Sequence, residues 1–294
     1  MDAIEFVTID ESTWDARQYE LLDFGQGRKL ERFGRMIVDR PCPAAECRFS
    51  QPDIWKRTQL RFDNRQWHEL TKQTSSTESN WTVDYRKLVL RLKPTPFGHV
   101  GLFPEQAENW SWLSRLIANW NKSTRPKALN LFAYTGGATL ALADAGAEVV
   151  HCDASEPAVR WARSNASLSR LENTSIRWIV DDARDFVRRE LKRNRQYDLI
   201  VMDPPTFGHG SRGMRWEIQN DLPQLLAQCV QLLADSPAYL LITGHSEYPT
   251  PDDIRSNLVG CLEGVCAVQR SQLYDLAGRC LDCGYAVRVV KRDS

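Results

Sequence analysis

Leu129-Asn130-Leu131-Phe132-Ala133-Tyr134-Thr135-Gly136-Gly137-Ala138 is the stretch on which the reading of this chain turns. An apolar run enters a Gly-Gly loop, after which Ala138–Ala145 resumes with helical composition. Such a loop lets backbone approach a ligand closely, because glycine has no side chain and tolerates positive φ. No Lys follows the glycines, which disfavours a Walker-type phosphate loop, and no G-x-G-x-x-G is present, which disfavours a dinucleotide pyrophosphate site. A nucleoside without phosphates fits better.

Downstream of this stretch, short β-rich apolar runs alternate with amphipathic helical ones, the pattern of a parallel sheet wound with helices. Strands are expected at Ala128–Phe132, Glu148–Cys152, Ile176–Val180, Leu199–Met202 and Tyr239–Thr243, followed by a terminal pair, Ala267–Leu273 and Tyr285–Val290. Helices are expected at Glu156–Ser169, with Ala158, Trp161, Ala162 and Ala166 on one face, at Ala183–Lys192, and at Trp216–Leu233. The fold class is therefore α/β, a seven-stranded, mostly parallel sheet.

The ends of the strands carry the chemistry. Asp153 lies sixteen residues past Gly137, in EVVHCDAS directly beyond the second strand, where a carboxylate can accept hydrogen bonds from both hydroxyls of a ribose. The third strand ends in Asp181-Asp182-Ala183, where a side-chain oxygen can accept from an adenine amino group. The fourth ends in Asp203-Pro204-Pro205-Thr206-Phe207. Ligands of open α/β sheets bind at the carboxyl ends of strands, so these four elements in order define one crevice. Taken singly, Asp153 and Asp182 also read as helix N-caps, and Pro204-Pro205 as a turn.

Residues 1–95 read as a small β-rich unit and 96–294 as the α/β domain. Strand-like runs Tyr19–Asp23, Lys29–Phe33 and Met36–Arg40 are separated by Gly25-Gln26-Gly27 and Gly34, both turn signals, and the polar stretch Thr71–Asn80 reads as a hairpin loop. Of the ten tryptophans, seven (14, 55, 67, 81, 110, 112 and 120) lie in the first 120 residues. Set among Arg and Lys, as at Trp55-Lys56-Arg57 or Arg65-Gln66-Trp67, they can stack bases; large rings filling a thin β core is the simpler account.

Composition bounds the partners. Of 294 residues, 42% are hydrophobic and 26% charged, an ordinary globular balance, and 38 Lys+Arg against 38 Asp+Glu leave no excess of cations for tight, non-specific polyanion binding. No leader-like segment opens Met1–Asp10 and no apolar run is long enough for a membrane span, so a cytoplasmic location and no membrane partner are expected. The eight cysteines read as reduced thiols, and no metal is expected: Cys42-x4-Cys47 sits among prolines and Cys280-x2-Cys283 in an apolar strand-like run.

In this order, NLFAYTGG, the acidic strand ends and DPPTF resemble a class I S-adenosylmethionine (SAM)-dependent methyltransferase, with a Rossmann-like sheet, over roughly residues 96–290. More narrowly, YELLDFGQGRKLERFG, PFGHVGLFPEQAENW (96–110), WIVDDARDF (178–186) and DPPTFG (203–208) are similar to large-subunit rRNA methyltransferases that modify cytosine C5 or guanine nitrogens. The resemblance implies SAM as cofactor and ribosomal RNA as substrate. It implies that Phe132, Ala133, Tyr134, Thr135, Gly136 and Gly137 wrap the methionine end of SAM. Asp153, with Ala154 and Ser155 beside it, would hold the ribose, Asp182 and Ala183 would frame the adenine, and Phe103 and Gln106 would close over the cofactor. Asp203, Pro204 and Pro205 would line the point of transfer, with Phe207 as a stacking face for the acceptor ring.

One departure from the C5 enzymes decides the acceptor atom. Methylating cytosine carbon needs a thiolate nucleophile, and the related C5 enzymes keep a Cys just past the fifth strand. Here Ile242-Thr243-Gly244-His245-Ser246 contains no thiol; His245 stands in its place, as a proton acceptor or a polar loop residue. A base nitrogen is therefore the expected acceptor, and Cys229, on the apolar face of its helix, reads as core. Arg184–Arg195 (RDFVRRELKRNR) is the best candidate phosphate-contact patch, although a charged run on a helix is more often a solvated face. Two other readings stay open: a SAM-dependent methyltransferase of a protein or small molecule, and a non-catalytic RNA-binding module. Oligomeric state is left open.

Overall fold

The computed structural model describes residues 14–71, 81–121, 123–209, 215–235, 237–245 and 247–291. Two compact units emerge: Glu11–Glu108 with Ser271–Cys283, and Asn109–Arg270 with the chain from Gly284.

In the first unit, β1 (Tyr19–Gly25), β2 (Arg28–Phe33), β3 (Met36–Pro41), β4 (Leu60–Asp63) and β5 (Gln66–Glu69) form one sheet in that order, and β6 (Thr82–Tyr85) pairs with β7 (Leu88–Arg91). Gln26 (φ 49°) and Gly27 (φ 73°) close the β1–β2 hairpin. Positive φ at both central residues matches the turn's twist to that of the strands. Residues 72–80 of the expected hairpin loop, like Met1–Asp10, lie outside the described residues.

Tryptophans fill and tie this unit. Trp81 is buried and donates its indole N–H to the Phe33 carbonyl at 3.1 Å, Trp14 to Pro104 O at 3.0 Å, and Trp67 to Thr95 O at 2.7 Å. Trp55 donates to Asp23 Oδ2 at 2.7 Å and packs its ring 4.2 Å from Phe49. Asp23 is fully buried and also accepts from the backbone of Phe24, Ser50 and Gln51 and from the Arg279 guanidinium. Thin-core packing thus accounts for these rings, with the N–H groups of both Trp55 and Trp67 committed inside the unit.

The second unit is built on the sheet order β10-β9-β8-β11-β14-β16-β15. Its elements are α1 (Ala107–Ala118), β8 (Lys127–Leu131), α2 (Gly137–Asp144), β9 (Glu148–Asp153), α3 (Glu156–Leu168), β10 (Ile176–Val180), α4 (Ala183–Lys192) and β11 (Leu199–Met202). There follow β12 (Phe207–His209), β13 (Arg215–Glu217), α5 (Ile218–Leu232), β14 (Ala238–Gly244), α6 (Pro251–Leu258), β15 (Gly264–Tyr274) and β16 (Cys280–Lys291), of which Ser271–Tyr274 and Cys280–Cys283 count with the first unit. Strands β8 to β11 and β14 pair in parallel, whereas β16 runs antiparallel to β14.

A strand covered by helices on both faces reads as an unbroken apolar run. In β11, Ile200 and Met202 face a core with Phe186, Leu222 and Leu226, while Leu199 and Val201 face another with Leu113, Leu142 and Leu241. Each such buried side chain contributes about 2 kcal/mol from burial. Successive crossovers run outward from β8 through β9 to β10, then reverse from β8 to β11 and β14. The reversal leaves a crevice at the carboxyl ends of β8 and β11, where the Gly-Gly loop and Asp203-Pro204-Pro205 both emerge.

The expected helix Trp216–Leu233 begins only at Ile218. Arg215–Glu217 instead pairs antiparallel with Phe207–His209, and Trp216 uses its indole N–H on the Pro205 carbonyl at 2.6 Å. Among the described residues, β4 to β7, β12, β13, α1 and α6 are elements the sequence reading did not assign.

Candidate active site

The loop after β8 is held in sparsely populated backbone geometry. Phe132 (φ 53°), Tyr134 (φ 48°) and Gly136 (φ 91°) all lie in the left-handed region, a cost of about 1–3 kcal/mol for each non-glycine residue that the surroundings must offset. A side chain at Gly136 would crowd Ala162, whose Cβ lies 3.0 Å from the position of the added carbon, and one at Gly137 would collide with the Trp110 ring. Both glycines are therefore required by packing beneath the loop.

Asp153 clamps the loop from the end of β9. Its Oδ2 accepts from the Tyr134 N–H and its Oδ1 from the Ser155 N–H, each at 2.8 Å. Burial raises its carboxyl above the ordinary value and the two amides pull it back only in part. Asp153 is not the N-cap of α3: that role falls to Ser155, whose hydroxyl accepts from Ala158. Ala154 lies between them, half-buried, and Thr135 receives the Asn165 side-chain amide on its carbonyl at 3.0 Å. Behind the loop, Asn130 Nδ2 donates to Thr139 Oγ1, which is 2.9 Å from His151 Nδ1. His151 is fully buried, its Nε2 has no hydrogen-bond partner, and burial lowers its pKa to about 3.

Asp182 does cap α4. Its Oδ1 accepts from the Arg184 N–H at 2.9 Å, and both its oxygens are gripped by the Arg184 guanidinium. Burial pushes this carboxyl upward, but the guanidinium and backbone donors together hold it below its ordinary value. Ala183 is the buried first residue of that helix. Among the other cations of Arg184–Arg195, Arg188 pairs with Asp185, Arg189 with Asp181 and Arg193 with Glu190, so the run is a largely self-neutralised helix face.

At the end of β11, Asp203 accepts the Thr243 hydroxyl on Oδ1 at 2.5 Å. Thr243 stands at the end of the adjacent β14 and is 4% exposed. Pro204 is buried, Pro205 is tied to Trp216, and the chain then enters the β12–β13 hairpin, where Phe207 is 66% exposed. His245 follows β14 and is exposed; Ser246 lies outside the described residues. Cys229 is fully buried in the core with its Sγ 3.7 Å from the Met202 sulfur, and burial drives its thiol pKa upward. Phe103 and Gln106 belong to the other compact unit, just before and at the end of the turn Pro104–Gln106, with the Phe103 ring 5.1 Å from His99.

The strand ends thus bring together the loop 132–137, Asp153, Asp182, Asp203 and Thr243 along one edge of the second unit. Thr243, Trp216 and Arg184 were missed as site residues. Thr243 sits within the very pentapeptide inspected for a thiol; the other two act through partners distant in sequence.

A sequence-family profile described as S-adenosylmethionine-dependent methyltransferase matches residues 72–246. The ribosomal RNA large subunit methyltransferase K/L of Shewanella baltica is 30% identical over 204 residues, 66% of this chain and 27% of that protein. Its counterpart in Shewanella oneidensis is 32% identical over 163 residues, 52% and 22% of the two chains. The chain therefore spans about a quarter of the length of these relatives. The crystal structure of a SAM-dependent methyltransferase from Agrobacterium tumefaciens is similar with a TM-score of 0.88 at 32% identity, covering 99% of this chain and 97% of that one. A putative SAM-dependent methyltransferase from Streptococcus mutans shares the fold, with a TM-score of 0.73 at 13% identity over 93% and 75% of the two chains.

Proposed function

Because this chain belongs to the S-adenosylmethionine-dependent methyltransferase family, we propose that it methylates a base of ribosomal RNA, at nitrogen, in the cytoplasm. The observation that carries the acceptor assignment is the Thr243–Asp203 hydrogen bond: it orients a carboxylate at the carboxyl end of β11, near in sequence to the exposed aromatic Phe207, while Ile242–Ser246 holds no cysteine. The rRNA assignment draws on the names of the Shewanella relatives.

The residues suit SAM. Asp153 presents a carboxylate whose oxygens each have one backbone donor in place and a second lone pair for a ribose hydroxyl. Asp182 and Ala183 stand at the next strand end, for the adenine, and the backbone of Phe132–Gly137 curves where the methionine end would lie. When bound, SAM supplies a methyl group already activated on a positive sulfonium, so the protein's task is alignment and exclusion of water. Asp203 and the Pro204 carbonyl accept hydrogen bonds from the amino group of the acceptor and aim its lone pair at the methyl carbon. Phe207 stacks on the base. His245, just past β14, serves as a proton acceptor.

Nucleoside mass spectrometry of ribosomal RNA from cells with and without the gene tests this reading. One methylated base should disappear with the gene, and Asp203→Ala should fail to restore it while still binding SAM within about three-fold. The self-paired cations of α4 and the balanced net charge favour one alternative, a protein or small-molecule acceptor. Unchanged RNA nucleosides would select it.

A further inference from the structure

Arg184 is the point at which three strand ends are tied together. From the first turn of α4, its Nε and Nη2 donate to the two oxygens of Asp182 at 3.0 and 2.9 Å. Its Nη1 donates to Asp221 Oδ1 at 2.8 Å and to the Arg215 carbonyl at 3.2 Å, and its Cζ lies 5.7 Å from the centre of the Trp216 ring. Asp221 uses its other oxygen to accept from the Glu217 N–H at 2.9 Å. Trp216 in turn holds Pro205 through its indole N–H and packs 4.9 Å from the Phe132 ring of the loop after β8.

This arrangement exceeds what capping α4 needs, since Asp182 satisfies the helix terminus through the Arg184 N–H alone. It also differs from the other ion pairs of α4. Arg188–Asp185 and Arg193–Glu190 are one-turn contacts made by arginines more than half exposed, whereas Arg184 is 20% exposed and reaches 37 residues along the chain. A planar guanidinium can serve two carboxylates in fixed directions, which a lysine cannot. Both ends of β13 are thereby fastened to the residue expected beside the adenine: Arg215 through its carbonyl, Glu217 through Asp221.

We propose that Arg184 is a positioning residue that couples cofactor occupancy at Asp182 to the order of the hairpin carrying Phe207, so that cofactor binds before the acceptor base. The inference rests on the reading of Asp182 as the adenine-side residue. An adenine amino group donating to Asp182 immobilises that carboxylate, the fork transmits the fixed position to Asp221 and Trp216, and the Phe207 platform is ordered for stacking. Linkage makes the effect reciprocal: whatever orders the hairpin tightens cofactor binding by the same factor.

Hydrogen exchange of the full chain, with and without saturating S-adenosylhomocysteine, tests the coupling without any turnover. In the wild type, backbone amides of Phe207–His209 and Arg215–Glu217 should exchange about five-fold or more slowly once the compound is bound. Arg184→Met should bind it within about three-fold by calorimetry yet lose most of that slowing. Asp221→Ala, which removes the tether to Glu217 and leaves the Asp182 pair in place, should lose a large part of that slowing at Glu217 and serves if Arg184→Met fails to fold. Both variants keeping the full slowing would overturn the proposal, as would a wild type that binds with no change in the hairpin. A folded wild type that does not bind S-adenosylhomocysteine would instead overturn the cofactor reading on which the proposal stands.

Discussion

The Thr243 hydroxyl donates to Asp203 Oδ1 at 2.5 Å, across the gap between the ends of two neighbouring parallel strands. One buried hydroxyl thereby selects the rotamer of the carboxylate at the proposed transfer point. Thr243→Val keeps the shape and removes the donor. Losing such a bond is worth about 1–3 kcal/mol, so methyl transfer from labelled SAM to RNA should fall about ten- to a hundred-fold in kcat. Affinity for S-adenosylhomocysteine should be unchanged, and Thr243→Ser should restore the rate. An unaffected Thr243→Val enzyme would remove Asp203 orientation from the mechanism.

Asp153 should impose a pH dependence on cofactor binding. Its carboxyl is raised above the usual value of 3.8 by burial. A raised acid favours the folded apo protein on its protonated side, so protonation between the raised and the ordinary pKa adds stability while removing the charge that ribose hydroxyls need. Calorimetric affinity for S-adenosylhomocysteine should fall as pH drops through that window, and Asp153→Asn should bind weakly with a flatter profile.

His151 should make the fold acid-sensitive. Its pKa falls from 6.5 to about 3 on burial, so below pH 6.5 the unfolded chain takes up a proton that the folded one refuses. Stability is then fully present above 6.5 and is lost at about 1.4 kcal/mol per pH unit on the way down, until the folded group titrates. Urea midpoints of His151→Asn and wild type, compared from neutral pH downward, should converge as the pH falls. Parallel curves would contradict this.

Asp23 anchors the first unit through three amides, an indole and a guanidinium, so Asp23→Ala should cost about 2–4 kcal/mol in denaturant unfolding, because the amides and the Trp55 indole lose their acceptor while Arg279 keeps its pair with Asp275. A loss below about 1 kcal/mol would show that water replaces the carboxylate.

The parts of the site legible in the sequence are those written locally. An apolar strand running into Phe132–Gly137, Asp153 at a strand end and Asp203-Pro204-Pro205 at another each carry their meaning within ten residues, and the helix-wound, mostly parallel sheet follows from the alternation of short apolar runs with helical ones. What was not legible depends on contacts between distant segments. Thr243 meets Asp203 across 40 residues, and Arg184 meets Asp221 across 37. Trp216 looked like the start of a helix because strand arms of three residues, Phe207–His209 and Arg215–Glu217, are too short to show a period of two. Asp182 met both of its readings' terms for capping, yet only the structure reveals that Arg184 occupies both its oxygens.

Calorimetric titration of the purified, folded full chain with SAM tests the central claim most directly. The account predicts saturable binding at one site per chain, reduced at least ten-fold by Asp153→Ala because the clamp on Tyr134 and Ser155 is lost with the ribose acceptor. Absence of measurable binding by the wild type, with folding verified in the same sample, would contradict it.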